Sequence, residues 1–397
     1  MTVDADPADV VSISEAATML GVKPSTVYAY ISRNQLTSRR LPHDRRSWLT
    51  RSEVEQFVQR KGARGAAATE AADSAEHDTA IAHIVEDQLR YRGRDATELA
   101  VTESFESVSE LLWRDRDDQG RAWSLDPGLA ATIHRLQDTM PPGSMPLDRL
   151  KVTAMLLGAA DPLRYDLSVP SVISAARRLA PAYIESLPRR VSAEGSIAAR
   201  LWRGLCAHEP GEEHLGLLSA ALVVLADHGL GPSTRAVREA AATAADPYSA
   251  VLAGMSVASG LLLGGGSSLA VQSWLADIDS PASVPAMLGQ RLRRGDRLSG
   301  FGQPRYRRAD PRAALLLDLL HRAPGDDCRK AIVRAAVDLV RERRELEPNV
   351  EFALGALCFV HEMDYGAGEA IFVTARTTGW IAHAIEVYET NPAAGRL

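Results

Sequence analysis

The chain has 397 residues, of which 46% are hydrophobic and 24% charged, with a formal net charge of −6. That length exceeds what one small core organises, and the composition is the globular average, so a mini-protein and a disordered chain are both excluded. No run reaches the roughly 18 uninterrupted apolar residues of a membrane helix, and the start, Met1 to Asp9, lacks the basic and apolar regions of a signal peptide, so a cytoplasmic protein with no membrane association is expected. The cysteines, Cys206, Cys328 and Cys358, are scattered without a CxxC pair, which argues against a disulfide framework or a zinc cluster. The acidic balance gives no global nucleic-acid signature, so any DNA contact has to come from a local basic patch.

Ser12 and Glu15 form a capping box ahead of Ala16, Ala17 and Leu20, which predicts a short helix stopping at Gly21. Pro24 suits the first turn of a second helix, with Val27 and Ile31 facing inward and Ser25, Thr26, Tyr28 and Arg33 outward. This is helix-turn-helix spacing. Leu36 to Trp48 reads as two short strands around Pro42, His43 and Asp44, a wing with Arg39, Arg40, Arg45 and Arg46 on its arms. Thr50 and Glu53 then cap a third helix bearing Val54, Phe57 and Val58. Basic residues outnumber acidic ones from Lys23 to Lys61, so duplex DNA is the expected partner of residues 1–62: arginines for phosphates, the second helix for base edges. Through SEAATMLGVKPSTVYAYISRNQL and WLTRSEVEQFV this module resembles the winged helix-turn-helix of the MerR and excisionase family. The alternative is a helix-turn-helix used only for protein contacts.

Residues 63–80 hold small and polar side chains with almost nothing to bury, which reads as a linker or a frayed Ala-rich helix. Beyond it, apolar residues recur at helical spacing: Phe105, Val108, Leu111 and Leu112, then Leu147, Leu150, Met155 and Leu156, then Leu217, Leu218, Leu222 and Leu225. Strand-like alternation is scarce, aromatics are 5% of the chain, and no fixed-period repeat is present, so residues 81–397 read as all-α.

Several segments in order carry a resemblance to citrate synthase: Tyr91-Arg92-Gly93, SFESVSELLW, DHGLGPSTRAVREAAATAADPYSAVLAG, GLLLGGGSS, GFGQPRYRRADPRA, PNVEF and ARTTGWIAHAIE. The resemblance implies an all-α homodimer of large and small domains, the small one inserted over roughly 231–345, with the active site in the cleft between them. It also implies condensation of acetyl-CoA or a similar acyl-CoA with oxaloacetate. That reaction needs a carboxylate to take a proton, a neutral donor for the enolate oxygen, a group polarising the ketone, and cations for the carboxylates. By resemblance His228, Arg312 and Arg376 are the oxaloacetate anchors; the alternative is a core histidine and two scaffold arginines. The enolate-holding histidine is replaced by Leu263, which donates nothing, and the second histidine by Gln303, which donates but carries no charge. The proton-abstracting aspartate is Glu351, one methylene longer. The family's C-terminal arginine, which reaches into the partner's site, has no assigned counterpart in Ala394-Gly395-Arg396-Leu397. Arg305, Arg307 and Arg308 lie where the family's loop approaches coenzyme A, or form a solvated basic loop. Gly264 to Gly266 lack the Lys-Ser/Thr of a nucleotide loop, and His361, Glu362 and Asp364 have no metal spacing, so neither a metal nor a permanently bound cofactor is expected.

Removing one preorganised donor costs on the order of 10² to 10³ in rate, and mispositioned acid or base groups a further ~10². The expectation is therefore a catalytically degenerate core that binds a dicarboxylate, an oxoacid or an acyl-CoA and passes its state to a DNA-binding module. Two alternatives stand beside it: a working citrate or 2-methylcitrate synthase, and a non-catalytic subunit paired with an intact citrate synthase.

Overall fold

The computed structural model describes residues 10–20, 24–32, 36–40, 47–50, 54, 79–114, 123–260, 265–294, 298–302 and 305–391. The chain forms two compact units, Met1–Asp78 and Thr79–Leu397.

In the first unit, strand β1 (Val10–Ser12) runs into helix α1 (Ile13–Leu20), followed by α2 (Pro24–Ser32), β2 (Ser38–Arg40) and β3 (Ser47–Thr50). The predicted capping box is present: the Glu15 amide donates to Ser12 Oγ at 3.2 Å and the Ser12 amide to Glu15 Oε2 at 2.8 Å. Strands β2 and β3 are the arms of the wing, and β1 joins them antiparallel in the order β1-β3-β2. Sequence patterning does not reveal β1, because three residues are too few to show alternation. Val11, Ala16, Val27, Leu36, Leu49 and Val54 form a small separate core, and Tyr28 stands 54% exposed on α2, as its outward position requires. Ser25 and Thr26 fall in the first turn of α2, and Arg39 and Arg40 on β2. Their side chains lie outside the described residues, as do Arg33, Arg45, Arg46 and most of the third helix.

The second unit opens on a hairpin that periodicity does not predict: β4 (Ala82–Val85), β5 (Gln88–Tyr91) and the short β6 (Arg94–Asp95). Its two-residue turn, Glu86 and Asp87, takes positive φ at both positions, which suits the twist of the strands it joins. Thr79 and Ala80, expected as linker, belong to this unit, because Glu386 accepts from both of them.

Helices follow almost without interruption: α3 (Ala96–Thr102), α4 (Phe105–Trp113), α5 (Pro127–Asp138), α6 (Pro146–Ala160), α7 (Val169–Glu185), α8 (Ile197–Leu205) and α9 (Glu212–Leu225). Then come α10 (Pro232–Ala242), α11 (Pro247–Ala258), α12 (Gly265–Ala276), α13 (Val284–Arg294), α14 (Pro311–Arg322), α15 (Asp327–Arg344), α16 (Val350–Val360) and α17 (Ala367–Thr390). The start signals are local. Asp95, Ser104, Asp126, Ser196, Asp246, Asp310, Asp326 and Asn349 each accept a first-turn amide, and prolines at 127, 146, 232, 247 and 311 occupy first-turn positions where no N–H is missed. The all-α expectation thus holds, with the hairpin as its exception.

Helix α17 is the axis of the unit. It is buried over most of its length and packs against α4, α6, α7, α9, α10, α11 and α12. The expected small domain over 231–345 is not set apart at its start: α10 and α11 pack on each other and on α6, α7 and α17, helices from both flanks of that segment. Among the described residues no helix is long and apolar enough to cross a membrane.

Helix α12 reaches α16 and α17 through glycines. A Cβ on Gly355 would lie 2.6 Å from the Ser268 carbonyl oxygen, and one on Gly368 would lie 2.7 Å from Ser268 Oγ. The Gly355 obstacle is backbone and cannot swing aside. Gly355→Ala is expected to cost about 1–3 kcal/mol, read as a lower urea midpoint. An unchanged midpoint would show that the close approach of α12 and α16 is not required.

A cation-rich candidate site at the α9–α10 loop

The loop between α9 and α10 is fixed from below. Tyr91, fully buried at the end of β5, places its hydroxyl 3.0 Å from the carbonyls of Val223 and Asp227 and 3.1 Å from the Asp227 amide that donates to it. Asp227 Oδ1 takes the Gly229 amide at 2.7 Å, and Gly229 adopts φ +69°, a region where other residues are strained. Asp227 Oδ2 lies 3.2 Å from Nε2 of the fully buried His383 on α17. Burial alone pushes the Asp227 carboxyl up, but His383, Arg376 and the Gly229 amide together hold it below the ordinary value. It is therefore a buried anion serving several donors at once.

This loop presents His228. Its Nε2 is 2.9 Å from the Tyr306 hydroxyl, the two rings sit with centroids 5.6 Å apart, and its carbonyl accepts Arg305 Nη1 at 2.6 Å. Burial, then the nearby positive charges of Arg312 and Arg376, lower its pKa well below 6.5. The imidazole is neutral at pH 7, so it can donate to a carbonyl without bringing a third charge.

Arg312 stands in the first turn of α14, 2% exposed, with Nε and Nη2 at 2.9 and 2.8 Å from the two oxygens of Asp310. Asp310 Oδ2 also accepts the amide of Val350, the first residue of α16, at 3.0 Å. One carboxylate therefore neutralises Arg312 and joins α14 to the helix carrying Glu351. Arg376 is held differently. It is 7% exposed, its Nε donates to the Leu225 carbonyl at 2.8 Å, and its guanidinium lies 4.8 Å from the Phe372 ring centroid. Among the described residues no carboxylate forms an ion pair with it. Burial lowers its pKa, opposed by Asp227 and Tyr91 and reinforced by Arg312 and Arg305. A buried cation sharing its only influential carboxylate with a histidine is incompletely compensated.

The structure thus brings together the three expected anchors, His228, Arg312 and Arg376. Arg305 Nη1 is bonded to the His228 carbonyl, so this member of the basic segment adjoins the cluster. The side chains of Arg307 and Arg308 are exposed, and the Arg307 amide donates to Asp87 Oδ1 at 2.7 Å. Glu351 lies half-buried in the first turn of α16, its amide on Asn349 Oδ1 at 3.0 Å. Asn349 Nδ2 in turn donates to the Gly302 carbonyl at 3.0 Å, so the segment leading into position 303 is tied to the cap of the Glu351 helix. Gln303 and Leu263 themselves lie outside the described residues.

Sequence reasoning missed Tyr91, Asp227, Tyr306, Asp310 and His383 as site residues. Asp227 and Asp310 adjoin or nearly adjoin a named anchor, Tyr306 follows Arg305, and His383 follows Arg376 by seven residues, which places both on one face of α17.

Fold and site define an all-helical protein with a cation-rich, partly buried site between inter-helix loops, preceded by a helix-turn-helix unit. Residues 71–396 match the family model for the citrate synthase C-terminal domain, and residues 10–62 match that for a helix-turn-helix domain. The chain belongs to the citrate synthase family. It is 30% identical over 335 residues to citrate synthase of Haloferax volcanii, covering 77% of this chain and 87% of that one. It is 26% identical over 338 residues to citrate synthase 2 of Bacillus subtilis, covering 79% and 90%, and 27% identical over 334 residues to 2-methylcitrate synthase 1 of Corynebacterium glutamicum, covering 76% and 86%. Among solved structures, citrate synthase from Pyrobaculum aerophilum is similar with a TM-score of 0.63 at 25% identity, covering 79% of this chain and 87% of that one. Citrate synthase from Thermotoga maritima has the same fold, with a TM-score of 0.63 at 24% identity and coverage of 78% and 88%.

The depressed His228 pKa has a consequence for stability. In the unfolded chain this histidine binds a proton near its ordinary value of 6.5, while in the folded chain it does not. Its contribution to stability is present above that pH and is lost as pH falls below it, at up to about 1.4 kcal/mol per pH unit. Replacing it (His228→Gln) is expected to flatten the decline in urea midpoint between pH 6.5 and 5. An equal slope in both proteins would place the proton elsewhere.

Proposed function

We propose that this chain is a metabolite-responsive regulator: a citrate synthase core with degenerate catalytic positions that binds an oxaloacetate-type dicarboxylate through His228, Arg312 and Arg376 and is coupled to a DNA-binding module. The observation that carries the reading is Arg376, a buried guanidinium bonded to a backbone carbonyl, beside a neutral imidazole and two further arginines. A dicarboxylate would supply the ion-pair partner that no described carboxylate gives Arg376. At Leu263 the enolate oxygen of an acyl-CoA substrate would find no side-chain donor, which motivates the pseudoenzyme part of the reading.

A working acyl-CoA condensing enzyme is the second reading. It is favoured by the names of the relatives and by the retained carboxylate at Glu351 and amide at Gln303. Steady-state assay of the lone protein with acetyl-CoA, or propionyl-CoA, and oxaloacetate separates the two. Negligible turnover is expected, with partial recovery in the combined Leu263→His, Gln303→His, Glu351→Asp variant. Turnover near ordinary enzyme rates in the unmodified protein rejects the pseudoenzyme. Co-purification with an intact citrate synthase would instead favour the partner-subunit reading.

Calorimetry with oxaloacetate, citrate, malate and succinate tests the anion site. Each charge-assisted contact contributes roughly 1.5–3 kcal/mol, so Arg376→Ala is expected to weaken affinity by about one to two decades. No heat and no thermal stabilisation with any of the four would make the arginines scaffold. On the DNA side, Arg39→Ala with Arg40→Ala is expected to weaken binding to all duplexes and reduce its salt dependence. A homodimer is part of the proposal, supported by Met155 on α6 and by Leu163 and Tyr165 just after it, all more than half exposed. Two readers in one dimer favour a palindromic site.

A further inference from the structure

The polar groups that leave the candidate site on its far side touch no ligand position, yet they end where the chain emerges from the linker. Asp227 lies 3.2 Å from His383 Nε2, whose Nδ1 is 3.4 Å from Arg238 Nη1, which donates to Glu386 Oε2 at 2.5 Å. Glu386 Oε1 accepts the Ala80 amide at 2.9 Å and the Thr79 hydroxyl at 3.3 Å. The same helix, α17, carries Arg376, His383 and Glu386, so its site end and its linker end are parts of one rigid element.

A second line returns to the site from the same segment. After Ala80 the chain enters the β4–β5 hairpin, whose turn residue Asp87 accepts the Arg307 amide at 2.7 Å. Arg307 is two residues from Arg305, which holds the His228 carbonyl. The hairpin ends at Tyr91, whose hydroxyl is bonded to Asp227. Residues 79–91 are thus fastened at their start, turn and end: to Glu386, which reaches His383 through Arg238, to the Arg307 amide, and to Asp227 itself.

We propose that residues 79–91 are the relay between anion occupancy and the linker, with Glu386 and Asp87 as positioning residues that transmit it without contributing to ligand affinity. This deepens the anion-regulator reading and rests on it. An anion that pairs with Arg376 weakens the pull of its charge on Asp227, and it draws together the loops bearing His228 and Arg305. Both adjustments occur at groups to which residues 79–91 are bonded. A linkage of this kind requires an element whose arrangement both sites bias, and this segment meets that condition at the core end.

The experiment is amide hydrogen exchange on the full chain with and without saturating malate, alongside calorimetry with malate and anisotropy of a labelled duplex enriched from a random pool by the unmodified protein. In the unmodified protein malate is expected to slow exchange of residues 80–92 by about threefold or more and to shift duplex affinity by about fivefold, the low end of ordinary couplings. In Glu386→Gln, which keeps the shape of the side chain, malate heat and duplex affinity without malate should remain within about twofold, while protection at 80–82 and the shift in duplex affinity are lost. Asp87→Asn, at an exposed turn, serves as the second variant where Glu386→Gln does not fold; it should lose protection in the hairpin turn and retain malate heat. Malate heat without any change at 80–92 overturns the relay and leaves the anion site standing. Variants that retain the full shift in duplex affinity overturn it as well. Absence of malate heat together with absence of heat from oxaloacetate, citrate and succinate overturns the anion reading itself, and the relay with it.

Discussion

The arrangement around the candidate site depends on one carboxylate with no exposed surface, Asp227. Burying a lone carboxylate costs several kcal/mol, and this one is compensated by the Gly229 amide on Oδ1, by His383 3.2 Å from Oδ2 and by the positive charge of Arg376, while Tyr91 exchanges hydrogen bonds with the Asp227 backbone amide and carbonyl. These partners come from β5, the loop itself and two positions along α17. Asp227 consequently fixes the hairpin, the loop and the axial helix relative to one another, and the placement of His228 follows from that constraint.

Asp310 does the corresponding work on the other side. Its pairing with Arg312 and its cap on Val350 hold α14 against α16, so the anchor on one helix and the carboxylate position Glu351 on the next are set by a single group. The bond from Arg305 to the His228 carbonyl then closes the gap between the two halves of the site. Asp310 is taken up by Arg312, and Asp227 faces both His383 and Arg376, so among the described residues Arg376 has no carboxylate of its own. Its incomplete compensation is a property of the arrangement rather than of any single residue.

Much of this was legible in the sequence, for specific reasons. Helix starts were marked by Asp, Ser and Asn caps and by first-turn prolines, because those signals are local and satisfy amides that would otherwise lack partners. His228, Arg312 and Arg376 could be named because they lie in segments whose order resembles a known family. Strand β1 and the β4–β5 hairpin were not legible, since three- and four-residue strands carry too little alternation to stand out. The contact of Arg305 with the His228 carbonyl was not legible, because the two residues are 77 positions apart and only tertiary structure brings them together. The network from Asp227 to Glu386 joins residues more than a hundred positions apart, which no spacing rule reaches, although the pairing of Arg376 with His383 on one helical face was available.

Anchors and catalytic positions also sit on different kinds of structure, and this affects how their divergence is interpreted. Arg312 is fastened into the fold: without it Asp310 would remain as a buried, uncompensated charge at the junction of α14 and α16. Its retention is therefore expected whether or not a ligand binds, and it is weak evidence for a ligand. Arg376 has a looser obligation: its Nε donates to the Leu225 carbonyl and its charge helps hold Asp227 below the ordinary carboxylate value, but among the described residues it forms no ion pair of its own. Keeping a guanidinium there, at the cost of desolvating it, needs a compensating partner that the described residues supply only in part through Asp227. Position 263, by contrast, carries a leucine in a glycine-rich stretch of the sequence, a side chain that can donate no hydrogen bond. Under the proposed anion-regulator reading a guanidinium at position 376 has to persist for binding, whereas a hydrogen-bond donor at position 263 does not.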